Sequence, residues 1–220
     1  MSDEYIPLPR LILFYAKYLD NQDTASFISN VSRFYTIGTL QRLTSSDRGE
    51  SRRAAALALG FLGDIETNRT FAKLLCDKDK TVRLLAENGI RAIWTRAGSD
   101  ANRQMLRNVL RLTVAKQYEE AVAKATELIS LAPRFAEAWN QRAIAHFALH
   151  QYQFALEDGL KALKLNRYHF AAAAGIGHAH LFLGNVTETI RYFQLALEIN
   201  PNLETIRESL SKLVQKLKEE

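Results

Sequence analysis

The stretch that decides the fold runs from residue 136 to residue 203 and consists of two consecutive 34-residue segments. They read AEAWNQRAIAHFALHQYQFALEDGLKALKLNRYH (136–169) and FAAAAGIGHAHLFLGNVTETIRYFQLALEINPNL (170–203). Several aligned positions are identical: Ala138 and Ala172, Ala145 and Ala179, His146 and His180. Self-similarity at a fixed period of this length is the signature of stacked structural repeats.

Each segment is expected to form two helices joined by a short turn. In the first segment the helices are predicted over residues 136–149 and 152–165, with the turn at residues 150–151. A weaker copy of the pattern precedes them over residues 102–135. Because one helix pair cannot bury its own apolar faces, the copies must stack on one another.

These segments resemble tetratricopeptide repeats (TPR). The middle segment carries the family's signature residues, with Arg167 in place of Pro: Trp139, Ala143, His146, Ala155 and Ala162. The last segment carries Gly177, His180, Ala196 and Pro201, and the first carries Ala121 and Pro133. The resemblance implies three units and a helix that caps the stack: units 102–135, 136–169 and 170–203, and capping helix 204–218.

Residues 31–97 repeat with a different period, of 31 residues, which aligns Arg52 with Arg83. The stretches that contain these arginines resemble the second helices of short HEAT repeats. The resemblance implies that Asp79 caps the helix after it and that the arginines support neighbouring repeats. Residues 1–30 are expected to form a degenerate repeat that caps the N-terminal end.

The patterns together predict an all-α protein, an alpha-alpha superhelix (solenoid) of HEAT-like helix pairs followed by three TPR helix pairs and a capping helix. We expect a HEAT-like domain over residues 1–97 and a TPR domain over residues 102–220. The stretch Ala97-Gly-Ser-Asp100 joins them, because it has turn residues and no apolar periodicity. This order of units is similar to that of small bacterial HEAT-plus-TPR proteins of unassigned role.

Function is expected on the concave face of the TPR stack, which the first helix of each unit lines in this family. The resemblance places thirteen residues there: Arg103, Leu106, Leu110, Thr113, Glu137, Asn140, Gln141, Ile144, Phe147, Ala171, Ala174, His178 and Leu181. Such a face suits an extended or helical segment of another protein. We therefore expect a non-catalytic scaffold or adaptor with an unidentified protein or peptide partner.

One class of TPR domains holds the terminal carboxylate of chaperone tails with Lys, Asn and Arg side chains. In this chain the corresponding positions are Leu106, Leu110, Gln141, Ala171 and Gly175. None of them is basic, so we expect no chaperone carboxylate clamp.

The sequence shows no arrangement typical of an enzyme or a metal site. His146 and His150 have the spacing of a helical zinc-ligand pair, but no third ligand is evident. His146 also shares its repeat position with His180, which favours a packing role for both. The run Gly175-Ile-Gly177 is too short for a phosphate-binding fingerprint, and we interpret its glycines as sites of close helix packing. We predict no catalytic residues, no metal and no cofactor.

Two alternative functions remain open. The formal net charge of +5 and the pI of about 9.3 are spread over both halves. A HEAT-like protein could nevertheless bind nucleic acid if four arginines converged on one surface: Arg48, Arg52, Arg53 and Arg83. We do not expect nucleic acid as a partner, since no basic stripe is evident. The second alternative is an accessory subunit related to the phycobilin lyases, which are built from HEAT-like repeats, although no bilin-binding residue is evident.

The N-terminal region does not resemble a targeting or membrane segment. Residues 1–9 begin acidic, where a secretory signal begins basic, and the apolar run over residues 11–16 is too short to span a bilayer. The single cysteine cannot form an internal disulfide. We expect a cytoplasmic protein with no membrane partner, and the sequence leaves the oligomeric state open.

Overall fold

The computed structural model describes residues 9–219, and these residues form an all-α protein without any strand. Contacts between Cα atoms divide the chain into two compact units after Ile93. The part of the expected N-terminal cap that falls on residues 1–8, the acidic start included, lies outside the described residues, as does Glu220. No helix within residues 9–219 is long and apolar enough to cross a membrane.

The N-terminal unit contains six helices and a short 3-10 turn. They are α1 (Arg10–Asn21), α2 (Thr24–Phe34), α3 (Ile37–Leu43), α4 (Gly49–Leu62), the 3-10 turn Ile65–Thr67, α5 (Asn68–Leu74) and α6 (Lys80–Arg96), whose last three residues belong to the second unit. The Asp79 carboxylate accepts a hydrogen bond from the backbone N–H of Thr81 at the start of α6, at 2.8 Å. The predicted N-cap is therefore confirmed, and it satisfies a donor that the helix itself cannot.

The core of this unit is formed by large apolar side chains that solvent does not reach. Phe27, Leu40, Leu59, Phe71 and Ile90 are all fully or almost fully buried. They come from five different helices. Burial of such residues supplies most of the favourable free energy of a helical fold, because the isolated helices would be marginal in water.

The C-terminal unit contains three helical hairpins and a last helix. They are α7 (Asp100–Val114) with α8 (Tyr118–Leu131), α9 (Ala136–Ala148) with α10 (Tyr152–Leu165), α11 (Phe170–Phe182) with α12 (Val186–Ile199), and α13 (Glu204–Glu219). Each helix packs on the next along the chain, and α9 also packs on α7 and α11. The helix pair predicted for the middle segment and the capping helix agree with α9, α10 and α13 to within one or two residues.

The three hairpin turns have the same backbone geometry at a spacing of 34 residues. Lys116, His150 and Gly184 have φ angles of 60°, 60° and 78°, the left-handed region. In each turn the residue after them donates a 2.9 Å backbone hydrogen bond to a carbonyl five residues earlier: Gln117 to Leu112, Gln151 to His146 and Asn185 to His180. This is the pattern of a Schellman motif, which ends one helix and reverses the chain.

Small residues at repeated positions let the hairpin helices pack closely. One buried cluster combines Val109 and Leu112 with Ala121, Ala125 and Ala145. The chain between α6 and α7 contains the predicted joint, where residues 97–99 are not helical and Ser99 caps α7. The division by contacts falls a few residues earlier, within α6. The domain bounds 1–97 and 102–220 stay a prediction.

Candidate binding groove

The first helices of the three hairpins, α7, α9 and α11, lie side by side in the C-terminal unit. We call the surface that they form the A-helix face. All thirteen residues predicted to contact a partner are on these three helices. Their environments differ, and only part of the set is available to a partner.

The residues on α7 are engaged within the unit itself. Leu106 is 1% exposed and packs against Leu128 and Phe135, and Leu110 packs against the same cluster. The Arg103 guanidinium pairs with Asp100 and donates to two backbone carbonyls. Thr113 donates its hydroxyl hydrogen to a carbonyl of its own helix. Leu106 is thus a core residue, and its burial disagrees with its prediction as a partner contact.

Glu137, at the start of α9, is likewise buried rather than exposed to a partner. Its carboxylate accepts hydrogen bonds from His169 Nε2 at 2.9 Å, from Gln141 Nε2 at 2.6 Å and from Asn140 Nδ2 at 3.3 Å. Burial raises the pKa of the Glu137 carboxyl, but these hydrogen bonds outweigh burial and hold the pKa below its ordinary value. The predicted contacts of Glu137 and Gln141 with a partner are replaced by contacts with each other.

His169 organises this buried cluster, and sequence reasoning missed it. Its Nδ1 accepts a hydrogen bond from the backbone N–H of Ala172, which caps α11, so the ring hydrogen is on Nε2 and points at Glu137. Trp94 stacks on the imidazole with ring centroids 4.0 Å apart. No motif links Glu137 to a residue 32 positions later, and histidine is an unusual N-cap, so the sequence offered no signal.

The accessible part of the A-helix face lies between α9 and α11. A pocket of about 130 Å³ opens there. Its lining includes five of the predicted residues, Asn140, Ile144, Phe147, Ala171 and His178, together with small residues such as Ala143 and Gly175. Ile144 is 42% exposed and Leu181, on the same face, is 39% exposed. Ala174 is half-buried. These two helices therefore carry the candidate site.

Aromatic rings form one end of this region. Phe147 meets Phe182 edge to face at 5.4 Å, and Tyr152 stacks on Phe182 at 4.7 Å. Phe182 is exposed. Rings held in such contacts present a rigid apolar surface, which costs little conformational entropy when a ligand binds.

His178 is the titratable group on the pocket wall. Its ring packs edge to face on Phe193 with centroids 4.9 Å apart. Burial lowers the pKa of His178 below its ordinary value, because the charged imidazolium would lose its hydration. The wall therefore presents a neutral imidazole at neutral pH.

His146 and His180, which occupy the same repeat position, have the packing role that the repeat predicted. His146 lies 5.4 Å from Phe154, and His180 stacks on Tyr192 at 5.6 Å. Each ring also bonds the turn residue five positions later, Gln151 and Asn185 respectively. Within residues 9–219 no group of three or more His, Cys, Asp or Glu side chains could hold a metal ion.

In the N-terminal unit, three of the four arginines of the nucleic-acid alternative are engaged internally. Arg52 is buried and donates hydrogen bonds to both carboxylate oxygens of Asp77, at 2.8 and 2.9 Å. Arg53 pairs with Asp79, and Arg83 donates to the carbonyl of Asp77. Arg48 is exposed, and its side chain forms no hydrogen bond or ion pair within residues 9–219. The four arginines are therefore not all available to a phosphate backbone, because Arg52 and Arg53 pair with aspartates and Arg83 bonds a backbone carbonyl.

Comparison with known proteins identifies the repeat. No family model matches the chain. A TPR repeat-containing protein of Rhizobium etli is 27% identical over 150 residues, which are 68% of this chain and 74% of that protein. Tetratricopeptide repeat protein 33 of Mus musculus is 35% identical over 97 residues, 44% of this chain but only 37% of that protein. The first TPR domain of Spaghetti (RPAP3), solved with the HSP90 peptide SRMEEVD, has a TM-score of 0.53 and 25% identity, and covers 55% of this chain and 95% of that one.

The C-terminal unit is a tetratricopeptide repeat domain. The 34-residue period, the three identical turns and the similarity to TPR proteins all agree on this. The HEAT resemblance of the N-terminal unit stays a prediction.

The expectation that no carboxylate clamp is present stays a prediction, and the structure shows the surroundings of the five positions on which it rests. Leu106 is buried, Leu110 packs on the core, and Gln141 is bonded to Glu137. Ala171 and Gly175 line the pocket. No basic side chain stands at any of these five positions.

Proposed function

We propose that this protein is a non-catalytic adaptor that holds a peptide segment of a partner protein on the A-helix face, between α9 and α11. The observation that carries the proposal is the apolar pocket there, which the exposed side chain of Ile144 lines. Exposed Leu181 follows the pocket residue His178 by three positions on α11. Large apolar side chains beside an open cleft lose contact with water when a partner covers them, which favours binding.

The similar TPR structure supports this mode of binding, since it was solved with a seven-residue HSP90 peptide. That ligand belongs to the other protein. For this chain we propose that the partner is not held by its terminal carboxylate, because the five clamp positions offer no positive charge. The HSP90 peptide SRMEEVD is then expected to bind weakly or not at all in a fluorescence titration. Tight binding that is abolished when the peptide's terminal carboxylate is amidated would contradict this part of the proposal.

The two alternative functions have less support. Nucleic-acid binding needs several available cations that track the phosphate backbone. Arg52, Arg53 and Arg83 hold internal partners instead. A role related to the phycobilin lyases gains no support from the two relatives described above, which are both TPR proteins. A cytoplasmic location stays a prediction.

The test is a selection of binding peptides on the full chain. A library of random dodecapeptides displayed on phage is panned against the immobilised protein, and the affinity of the enriched peptides is measured by fluorescence anisotropy. We expect the double variant Ile144→Glu/Leu181→Glu to weaken binding at least tenfold, because a charge placed in the apolar cleft must be desolvated without a partner. Both residues are exposed, so the fold tolerates the change.

The matched control is Leu131→Glu/Leu160→Glu, which adds the same charge at exposed leucines on the second helices α8 and α10. It should leave the affinity unchanged. If no peptide is enriched, or if both double variants weaken binding equally, the proposed function is wrong.

A further inference from the structure

Gly175 and Gly177 are two residues apart on α11 but differ in what surrounds them. A Cβ atom at Gly177 would lie 2.4 Å from the ring of Phe193, so a helix packs closely there. A Cβ atom at Gly175 would have no neighbour within 4 Å. The interpretation of both glycines as close-packing sites is therefore correct for Gly177 and wrong for Gly175. Packing inside the protein does not account for a helical glycine at position 175.

The empty space at Gly175 is part of the pocket between α9 and α11. Facing side chains that include Ala143, Ile144 and Phe147 bound it, and the volume is about 130 Å³. An apolar cavity of ~150 Å³ in a protein accommodates one benzene ring. The space therefore has the size of a single bulky side chain and is too small for a chain segment.

The lining of the pocket contains no charged residue. Burial lowers the pKa of its one titratable group, His178, which disfavours a positive charge there. A carboxylate or an ammonium group in this space would give up its hydration and gain no opposite charge. Complementarity of charge therefore selects a neutral, apolar occupant.

Asn140 supplies a polar atom at the pocket. The residue is only 5% exposed, and its Nδ2 donates to the buried Glu137 carboxylate, which fixes the orientation of the amide. No donor within residues 9–219 bonds its Oδ1, although Asn140 lines the pocket. This carbonyl oxygen therefore keeps its capacity to accept a hydrogen bond, and a partner's backbone N–H could use it.

We infer that Gly175 creates an anchor pocket for one uncharged bulky side chain, Leu, Ile, Met or Phe, carried by the partner's peptide segment, with Asn140 Oδ1 accepting a hydrogen bond from that segment's backbone. This inference rests on the proposed function and specifies its ligand. The anchor side chain fills the space that glycine leaves, and the backbone contact sets its depth. Recognition depends on apolar fit instead of on a terminal charge.

The experiment uses fluorescein-labelled dodecapeptides enriched on the full wild-type chain. In the tightest peptide each position is changed to Ala in turn, and we expect one bulky apolar position to lose at least tenfold in affinity. Replacement of that anchor by Asp should weaken binding further. The protein variant Gly175→Leu fills the pocket from within and should weaken the wild-type peptide at least tenfold.

The matched control is Gly38→Leu. Gly38 also lies in a helix, is exposed, and has no atom within 4 Å of its would-be Cβ, but it belongs to the N-terminal unit. It should leave the affinity unchanged. Thermal melting monitors both variants, and neither is expected to melt below the wild type, because each replaces a helical glycine in open space.

The outcomes separate the two proposals. If Gly175→Leu binds the peptide as tightly as the wild type while Ile144→Glu/Leu181→Glu abolishes binding, the anchor pocket is wrong and the groove function stands. If neither change affects binding, both proposals fail. A tightest peptide whose essential residues are all charged would also overturn the anchor pocket.

Discussion

The two units of this protein differ in which side chains are engaged internally and which remain exposed. In the N-terminal unit three arginines that look available for a partner bond within the unit, and Arg52 uses three nitrogen atoms on Asp77, Ser46 and Asp47. On the A-helix face of the C-terminal unit, apolar residues that look like core remain exposed, as Ile144 and Leu181 do. Residue type alone thus gives the wrong assignment in both units.

The difference shows that a binding surface is recognised by side chains that have no partner within the protein. Arg52 has a partner for its charge, so it stabilises the fold and offers nothing to a ligand. The pocket at Gly175 has no internal occupant, so it can offer its full surface to one. Glu137 resembles Arg52 because internal donors satisfy its charge, although it lies on α9 beside the pocket.

The largest expected effect is the loss of the Arg52–Asp77 pair. Arg52→Ala leaves the Asp77 carboxylate, which is mostly buried, without its countercharge, and should destabilise the protein by about 3–5 kcal/mol. Urea denaturation of the full chain measures this value. Arg48→Ala is the matched control, because Arg48 is exposed, and it should change stability by no more than about 0.5 kcal/mol. Equal effects of the two changes would mean that the internal ion pair of Arg52 does not stabilise this unit.

A smaller effect is expected at Glu137. Glu137→Gln removes a buried charge that three donors satisfy and should cost roughly 1–3 kcal/mol at pH 7. Glu120→Gln, on an exposed surface of α8, should cost no more than about 0.5 kcal/mol.

The stability difference between the wild type and Glu137→Gln should depend on pH, because the pKa of Glu137 is lowered in the folded protein. A carboxyl whose folded pKa is depressed stabilises the protein above its unfolded pKa of about 4.3, and this stabilisation is lost as the pH falls through the folded pKa. The stability difference between wild type and Glu137→Gln should therefore shrink on acidification below pH ~4. A difference that stayed constant down to the acid transition would contradict the lowered pKa.

The smallest effect is expected at Gly175, and its sign should be opposite to that at Gly177 on the same helix. Gly175→Ala should raise stability by about 0.5–1 kcal/mol, since alanine favours a helix and its methyl group meets open space. Gly177→Ala should instead lower stability by roughly 1–3 kcal/mol, because the methyl group would overlap the Phe193 ring. Thermal denaturation of both variants measures the signs, and the same sign for both would contradict the distinction between pocket and packing site.

Much of the fold could be predicted because the sequence pattern of one structural unit recurs several times along the chain. The 34-residue period located the three hairpins, and the turn at residues 150–151 recurs at Lys116 and Gly184 with the same hydrogen bonds. The cap at Asp79 followed from a local rule that needs only neighbouring residues. Period and capping depend on short separations along the chain, which a sequence displays directly.

The site could be predicted only in part, because burial and pairing depend on contacts between distant residues. The family positions located Ile144, Phe147 and His178 on the accessible face. They could not show that Glu137 meets His169, or that Trp94 stacks on that ring. Nor could the motif Gly175-Ile-Gly177 show that one glycine faces a ring and the other faces open space.

The central claim is that the partner is held between α9 and α11. Hydrogen–deuterium exchange of the full chain, with and without a saturating amount of the tightest selected dodecapeptide, tests it most directly. We expect slower exchange in the peptides of α9 and α11 and unchanged exchange in α4 and α8. Protection centred on residues 48–53, with none in α9 or α11, would contradict the account.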